Sequence, residues 1–366
     1  MSPASPGLPS FPSRSEAMRE HQQAQGRVAA VFPIHYSRAL LRAFGFLPVE
    51  VWGPPGGHTT LADAHLQSYT CSIVRLGLSF LLDRGLDGAA ILVVPHGCDS
   101  LQGLGSLLLD FVPVAQPVLP IYLPRGEGPA ALRFLTAELG AMRRRLAEIT
   151  GSDVSDADLG AAIEREEAAD ESLAQLHLER AWLDLRDREL YRLIRSREYL
   201  PAERFTPLAR AALAVRRAEP RPGIGVLLSG IVPEPMELFD HIAEAGGVVV
   251  ADDLLCTGRR LYPRGSSAEP LRRMAESLLG GPPDSTRGSP VAERIAHVRA
   301  LAQSSGAEAA IFTIVKFCEP EQFYWPALRE ALERDGVRCV MIDNDLAEPW
   351  SEATSTRIEA LLESAR

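Results

Sequence analysis

Short apolar runs alternate with longer amphipathic stretches along nearly the whole chain, and this alternation constrains the fold more than any other feature. Runs at 27–32, 47–52, 89–94 and 118–123 read as buried strands, with helical periodicity at 36–44, 72–82 and 101–111 between them. The pattern returns at 224–228, 248–251, 309–315 and 337–342, with helices at 234–245, 269–279, 291–304, 323–335 and 355–364. Apolar strands separated by helices form parallel sheets covered on both faces. The predicted class is α/β, with two parallel sheets.

Between the two sets the character changes. Residues 130–149 and 172–195 are helical by period and rich in Glu and Arg, and the stretch Asp153-Val154-Ser155-Asp156-Ala157-Asp158 offers caps to a helix at 159–167. The expected organisation is a disordered tail over 1–25, a first α/β domain over 26–127, a helical insert over 128–219 and a second α/β domain over 220–366. With 366 residues, 46% of them apolar, the chain can bury such cores. A formal net charge of −10 argues against nucleic-acid binding, which needs a basic face. No apolar run approaches the roughly 20 residues that span a bilayer. The polar N-terminal stretch lacks the apolar segment of a secretory signal. Five scattered cysteines are too few for a secreted disulfide scaffold, so a reducing cytoplasm is expected.

The two halves carry a shared detail. Ile91-Leu92-Val93-Val94-Pro95-His96-Gly97-Cys98-Asp99 is an apolar strand running into a cysteine and an acid, and so is Ile311-Phe312-Thr313-Ile314-Val315-Lys316-Phe317-Cys318-Glu319. This reads as a pseudo-duplication. Cys98 and Cys318 each follow a strand and precede a helix, and Cys71 lies directly before the helix starting at Ser72. Helix N-termini offer unpaired N–H groups and a positive dipole end, which favour the thiolate that binds iron. The plain alternative is a buried structural cysteine. A structural zinc site would show close C-x₂₋₄-C spacing. Here the three cysteines are 27 and 220 residues apart. Such spacing suggests ligands drawn from two domains onto a cleft, beyond the carboxyl ends of the strands. Cys256, just past a strand, is a second-tier candidate, and Cys339 falls inside a strand where core packing is its expected role.

At these residues the sequence resembles the D-component family of 2-hydroxyacyl-CoA dehydratases, which includes benzoyl-CoA reductase-type subunits. The matching stretches are Leu47-Pro48-Val49 with Trp52-Gly53, Cys71 before its helix, Val94-Pro95-His96-Gly97-Cys98-Asp99-Ser100 and Gly247-Val248-Val249-Val250-Ala251-Asp252-Asp253-Leu254-Leu255-Cys256-Thr257-Gly258. Further on come Phe317-Cys318-Glu319-Pro320, Phe323, Pro326 and Thr356-Arg357-Ile358-Glu359-Ala360. The resemblance implies two flavodoxin-like domains with one oxygen-sensitive [4Fe–4S] cluster in the cleft. Its ligands would be Cys71, Cys98 and Cys318, with the fourth iron position open. The implied activity is that of a lyase: one electron placed on the thioester carbonyl of an (R)-2-hydroxyacyl-CoA gives a ketyl radical that expels the hydroxyl. The implied partners are a homologous second subunit and an ATP-hydrolysing activator. The chain itself shows no P-loop G-x-x-x-x-G-K-[ST].

Two departures stand out. Family members often carry a Pro-Glu-Glu-Leu-type stretch where this chain has Ser37-Arg38-Ala39-Leu40, so an acidic side chain is missing. That points to an electron-relay subunit or to a different substrate. Arg259 stands where the family tends to have a small residue. His35 and Glu50 are the nearest substitutes for the missing acid, though solvent exposure is the expected state of both. His96 is either a ligand-shell hydrogen-bond donor or a plain loop histidine. Asp252 and Asp253 are read as capping residues.

Overall fold

The computed structural model describes residues 10–54 and 56–366. Expectations for residues 1–9 lie outside it. Two four-stranded parallel sheets organise the chain. The first contains β1 (Arg27–Val31), β2 (Phe46–Glu50), β3 (Ile91–His96) and β4 (Val118–Tyr122), in the order β2-β1-β3-β4. The second contains β5 (Ile224–Gly230), β6 (Gly247–Leu254), β7 (Ala309–Val315) and β8 (Arg338–Asn344), in the order β6-β5-β7-β8. The two orders are the same, as a pseudo-duplication requires. In both, the strand order reverses between the first and third strands, which is the flavodoxin-like switch point where ligands bind.

Strand side chains alternate between faces, and the cores follow that period. Ala30, Phe32 and Leu92 of the first sheet join Val226, Leu228 and Ile311 of the second in one apolar core. Helices α3 (Ser72–Leu82), α4 (Asp99–Asp110), α9 (Glu237–Glu244) and α13 (Glu352–Ser364) complete it. The opposite face of the first sheet, with Ala29, Val31, Ile91 and Val93, lies under α2 (Arg38–Ala43), α5 (Pro129–Thr150), α6 (Asp156–Glu179) and α10 (Pro270–Leu279). The opposite face of the second sheet packs on α11 (Val291–Ser305) and α12 (Glu319–Arg334).

Two expectations are corrected. Residues 14–23, placed in a disordered tail, form helix α1 (Arg14–Gln23). Ser13 and Glu16 make a reciprocal capping box at its start, and Ala17 is buried against Leu47 and Val49 of β2. The helices expected at 159–167 and 172–195 are divided elsewhere: α6 is continuous to Glu179, and a single 3₁₀ turn at Arg180–Trp182 leads to α7 (Asp187–Ser196). The helical segment lies between the two strand sets in sequence, as expected. Its α5 covers the outer face of the first sheet, while α6, α7 and α8 (Ala202–Ala214) pack with α1 against Val28, Leu47 and Val49. Helix α10 is the least expected placement. It follows β6 in sequence, yet Met274, Ala275 and Leu278 pack with α5 and α6 over the first sheet. Among the described residues no helix is long and apolar enough to cross a membrane.

Candidate metal centre

Cys71, Cys98 and Cys318 are the N-cap residues of α3, α4 and α12. Backbone N–H groups of the following turn favour each thiolate, Ile73 and Val74 at Cys71, Ser100 and Leu101 at Cys98, Glu321 at Cys318, though none makes a capping hydrogen bond to the sulfur. The Ser100 side chain also favours the Cys71 thiolate. Burial pushes all three thiols up, Cys98 to about 12 with Cys71 adding to the shift. At Cys318 burial comes first, and Glu321, Cys71 and Cys98 push further in the same direction. Cys71 and Cys98 from the first half and Cys318 from the second therefore lie within electrostatic reach of one another.

All five cysteines are free. Cys256 is buried, but its charged neighbours are Arg195, Glu198, Asp252 and Arg260 rather than the other thiols. Cys339 lies within β8, its Sγ 3.5 Å from the Val337 carbonyl oxygen. Among the described residues no three His, Cys, Asp or Glu side chains close on a single metal ion. A multi-iron cluster takes thiolates at separate corners and needs them farther apart. The residues fit such a cluster in their chemistry: three thiols, each at the positive end of a helix, and burial that a bound cation offsets.

His96 stands edge-on to Tyr122, with ring centroids 4.5 Å apart. Its Nε2 is turned into α4, where a Cβ on Gly105 would come within 2.5 Å of it. Burial holds the ring below its ordinary pKa.

The residues around the thiols are more constrained than the sequence suggests. His35 and Glu50, expected at the surface, are both buried. Trp52 Nε1 and Tyr36 Oη each donate to Glu50 at 2.9 Å, and Arg260 binds it through both guanidinium nitrogens at 2.5 and 2.8 Å. Burial alone would raise the Glu50 carboxyl, but Arg260 and Arg38 outweigh it and hold it low. His35 Nε2 lies 2.7 Å from Asp284 Oδ2, and its Nδ1 lies 3.5 Å from the Tyr262 hydroxyl. Burial lowers the His35 pKa against the pull of Asp284. At the position of the missing acid, Ser37 caps α2 and Arg38 is buried, donating to Tyr36 at 2.9 Å and to Glu166 at 3.3 Å. Arg259, the second departure, is fully buried and donates to Asp253, Asp284, Ser285 and Glu321.

Asp252 and Asp253 do more than cap. Asp252 Oδ1 accepts from Thr257 Oγ1 and the Gly258 N–H, as a cap would, but Oδ2 accepts from Arg180 at 2.6 Å and Tyr191 at 2.7 Å. Asp253 accepts from Arg294 at 2.7 and 2.5 Å and from Ser229 at 2.8 Å. A signal for this existed: two acids ending the apolar run 248–251 need buried partners, and Arg259-Arg260 follow closely.

Burial pulls Asp252, Asp253 and Asp284 upward, but His177 and Arg180 at Asp252, Arg259 and Arg294 at Asp253, and His35 and Arg259 at Asp284 outweigh it and hold all three well below the ordinary carboxylate range. Their unfolded values lie near 4. The stabilisation they contribute is therefore complete above about pH 4 and is lost as the pH falls toward the folded values. The urea midpoint is expected to hold near-constant carboxylate support down to about pH 5 and then to drop steeply. Equal midpoints at pH 5 and pH 3 would contradict the assignment.

Two parallel sheets of the same flavodoxin-like order, with helices laid over the first, define a two-sheet α/β protein. The sequence profile described as 2-hydroxyglutaryl-CoA dehydratase, D-component, matches residues 33–365. The chain belongs to that family. It is 25% identical over 366 residues to the beta subunit of lactoyl-CoA dehydratase from Anaerotignum propionicum, covering 95% of this chain and 94% of the relative. It is 24% identical over 367 residues to the beta subunit of (R)-2-hydroxyglutaryl-CoA dehydratase from Acidaminococcus fermentans, covering 95% of each. One of the subunits of benzoyl-CoA reductase from Thauera aromatica is 24% identical over 331 residues, covering 85% of this chain and 83% of the relative.

Proposed function

We propose that this chain is one subunit of an (R)-2-hydroxyacyl-CoA dehydratase and holds a [4Fe–4S] cluster through Cys71, Cys98 and Cys318. The observation that carries the reading is that three thiols from two halves each stand at the N-cap of a helix and lie within electrostatic reach of one another. When bound, the cluster supplies single-electron chemistry to an acyl thioester, from which the 2-hydroxyl leaves as water. The chain contributes the thiolates, the N–H groups that compensate their charge, and burial that keeps water and oxygen away. Further parts of the proposal are a homologous partner subunit, an ATP-hydrolysing activator and a cytoplasmic setting.

Within such a complex the relay role is favoured over the catalytic one. Arg38 occupies the acid's place, and Glu50 is held on both oxygens by Arg260. Neither offers a free carboxylate for proton transfer. A reductive role on an aromatic thioester is the second reading, supported by the similarity to the benzoyl-CoA reductase of Thauera aromatica.

The test is anaerobic reconstitution followed by assay with reductant, ATP and a 2-hydroxyacyl-CoA. The isolated chain is expected to turn nothing over, with dehydration appearing when the partner subunit and activator are added. Full turnover by the chain and activator without a partner would rule out the relay role.

A further inference from the structure

The thiol centre is assembled from two halves, so something must fix the distance between Cys98 and Cys318. We infer that His35, Asp284, Arg259 and Glu321 form a positioning brace that sets this distance. The inference rests on the cluster reading and concerns residues that do not ligate.

The brace begins at the Cys98 loop. His35 lies against Gly97, where an added Cβ would sit 3.2 Å from the ring Cδ2. The ring spans to the second half through Nε2, 2.7 Å from Asp284 Oδ2. The other oxygen, Asp284 Oδ1, accepts from Arg259 Nη1 at 3.2 Å and from the Thr286 N–H at 2.9 Å. Arg259 then grips Glu321 with both nitrogens, at 2.6 and 3.0 Å. Glu321 lies in the first turn of α12, three residues after its N-cap Cys318, and its N–H favours the Cys318 thiolate. Gly97, next to Cys98, is thus connected to the turn that receives Cys318 by four side chains, all buried.

The backbone at both ends supports this. Ile34 and His35 adopt left-handed φ of 67° and 59°, and Phe317, directly before Cys318, adopts 65°. Non-glycine residues hold such conformations only where the surroundings over-determine them. Here they occur just after β1 and just before Cys318, at the two ends of the brace. Charge supports it as well. Without Arg259, the Glu321 carboxylate would stand uncompensated beside the Cys318 sulfur. This explains why an arginine fills a position where a small residue was expected: it is a strut rather than a surface substitution.

The experiment reconstitutes the full chain with iron and sulfide under anaerobic conditions. It reads iron retained against a chelator, together with the electron paramagnetic resonance spectrum of the reduced protein. His35→Ala and Arg259→Met are expected to release iron about 10-fold faster or more, as removal of outer-shell partners does, with altered spectra. His35→Gln places an amide N–H near the Nε2 position and is expected to restore retention. Gly97→Ala pushes on the ring without removing any hydrogen bond, and is expected to change the spectrum while leaving the urea midpoint unchanged. It keeps the test decisive if the first two variants fold poorly. A wild-type chain that takes up no iron overturns the cluster reading itself. A loaded wild type with His35→Ala, or Gly97→Ala, matching it in retention and spectrum overturns the brace.

Discussion

Replacing Cys98 or Cys318 with alanine is expected to leave the anaerobically reconstituted chain without iron, where the wild type carries about four per chain. Cys339→Ala and Cys256→Ala are expected to keep the wild-type content. Cys98 and Cys318 follow equivalent third strands of the two sheets, and each is the N-cap of the following helix. Losing either leaves two thiols on one side of the molecule or split across it, too few to hold a cluster. Cys339 lies inside β8, and Cys256 lies among the charged groups Arg195, Glu198, Asp252 and Arg260 rather than at a helix N-terminus. The measurement is iron and acid-labile sulfide after desalting. Iron lost through Cys339→Ala alone, with Cys98→Ala fully loaded, would reverse the ligand assignment.

The second large effect concerns stability. Asp253→Ala is expected to cost about 3–5 kcal/mol, because removing one member of a buried ion cluster leaves the rest uncompensated. Asp253 binds Arg294 through two nitrogens and Arg259 through one, and none of the three side chains is exposed. His297 Nε2 lies 3.5 Å from the same carboxylate. Two guanidiniums would remain in the interior with one less partner between them. The contrast is Asp63→Ala, which breaks the pair with Arg75 at a carboxylate that is 43% exposed. That loss is expected to stay under about 1 kcal/mol. Urea midpoints of the two variants at pH 7 measure the difference, and similar midpoints would remove the buried cluster from the account of stability.

Much of the fold is legible in the sequence because its signals are local. All eight strands fall on apolar runs, and Ser72–Leu82 is helical from its first expected residue to its last. The shared strand order follows from the repeated strand-cysteine-acid pattern. Helix α1 escaped because a short polar helix is held by a capping box and by one buried alanine, neither of which raises apolar content. The layering of the middle helices and the return of α10 are tertiary choices with no periodic signature.

The thiol positions at helix starts could be read directly, since a strand, a cysteine and a helix adjoin in sequence. The surroundings could not. His35 and Asp284 are 249 residues apart, and Arg260 and Glu50 are 210 apart. A lone histidine and a lone glutamate give no sign of such distant partners. Arg259 looked like a departure only because its acceptors, Asp284 and Glu321, lie on later elements.

The return of α10 has a consequence for how the protein is made. The first sheet is fully synthesised at Tyr122, but part of its cover comes from Met274, Ala275 and Leu278. Roughly 150 further residues must leave the ribosome before that cover arrives, which at about 5–20 residues per second is a delay on the order of 10 s. Through that interval the apolar face under α5 and α6 stands partly open in the nascent chain. The N-terminal lobe cannot be finished on its own; it matures only after much of the C-terminal lobe exists. Chaperone demand during synthesis, and failure of fragments cut near residue 219, both follow from a single helix crossing back.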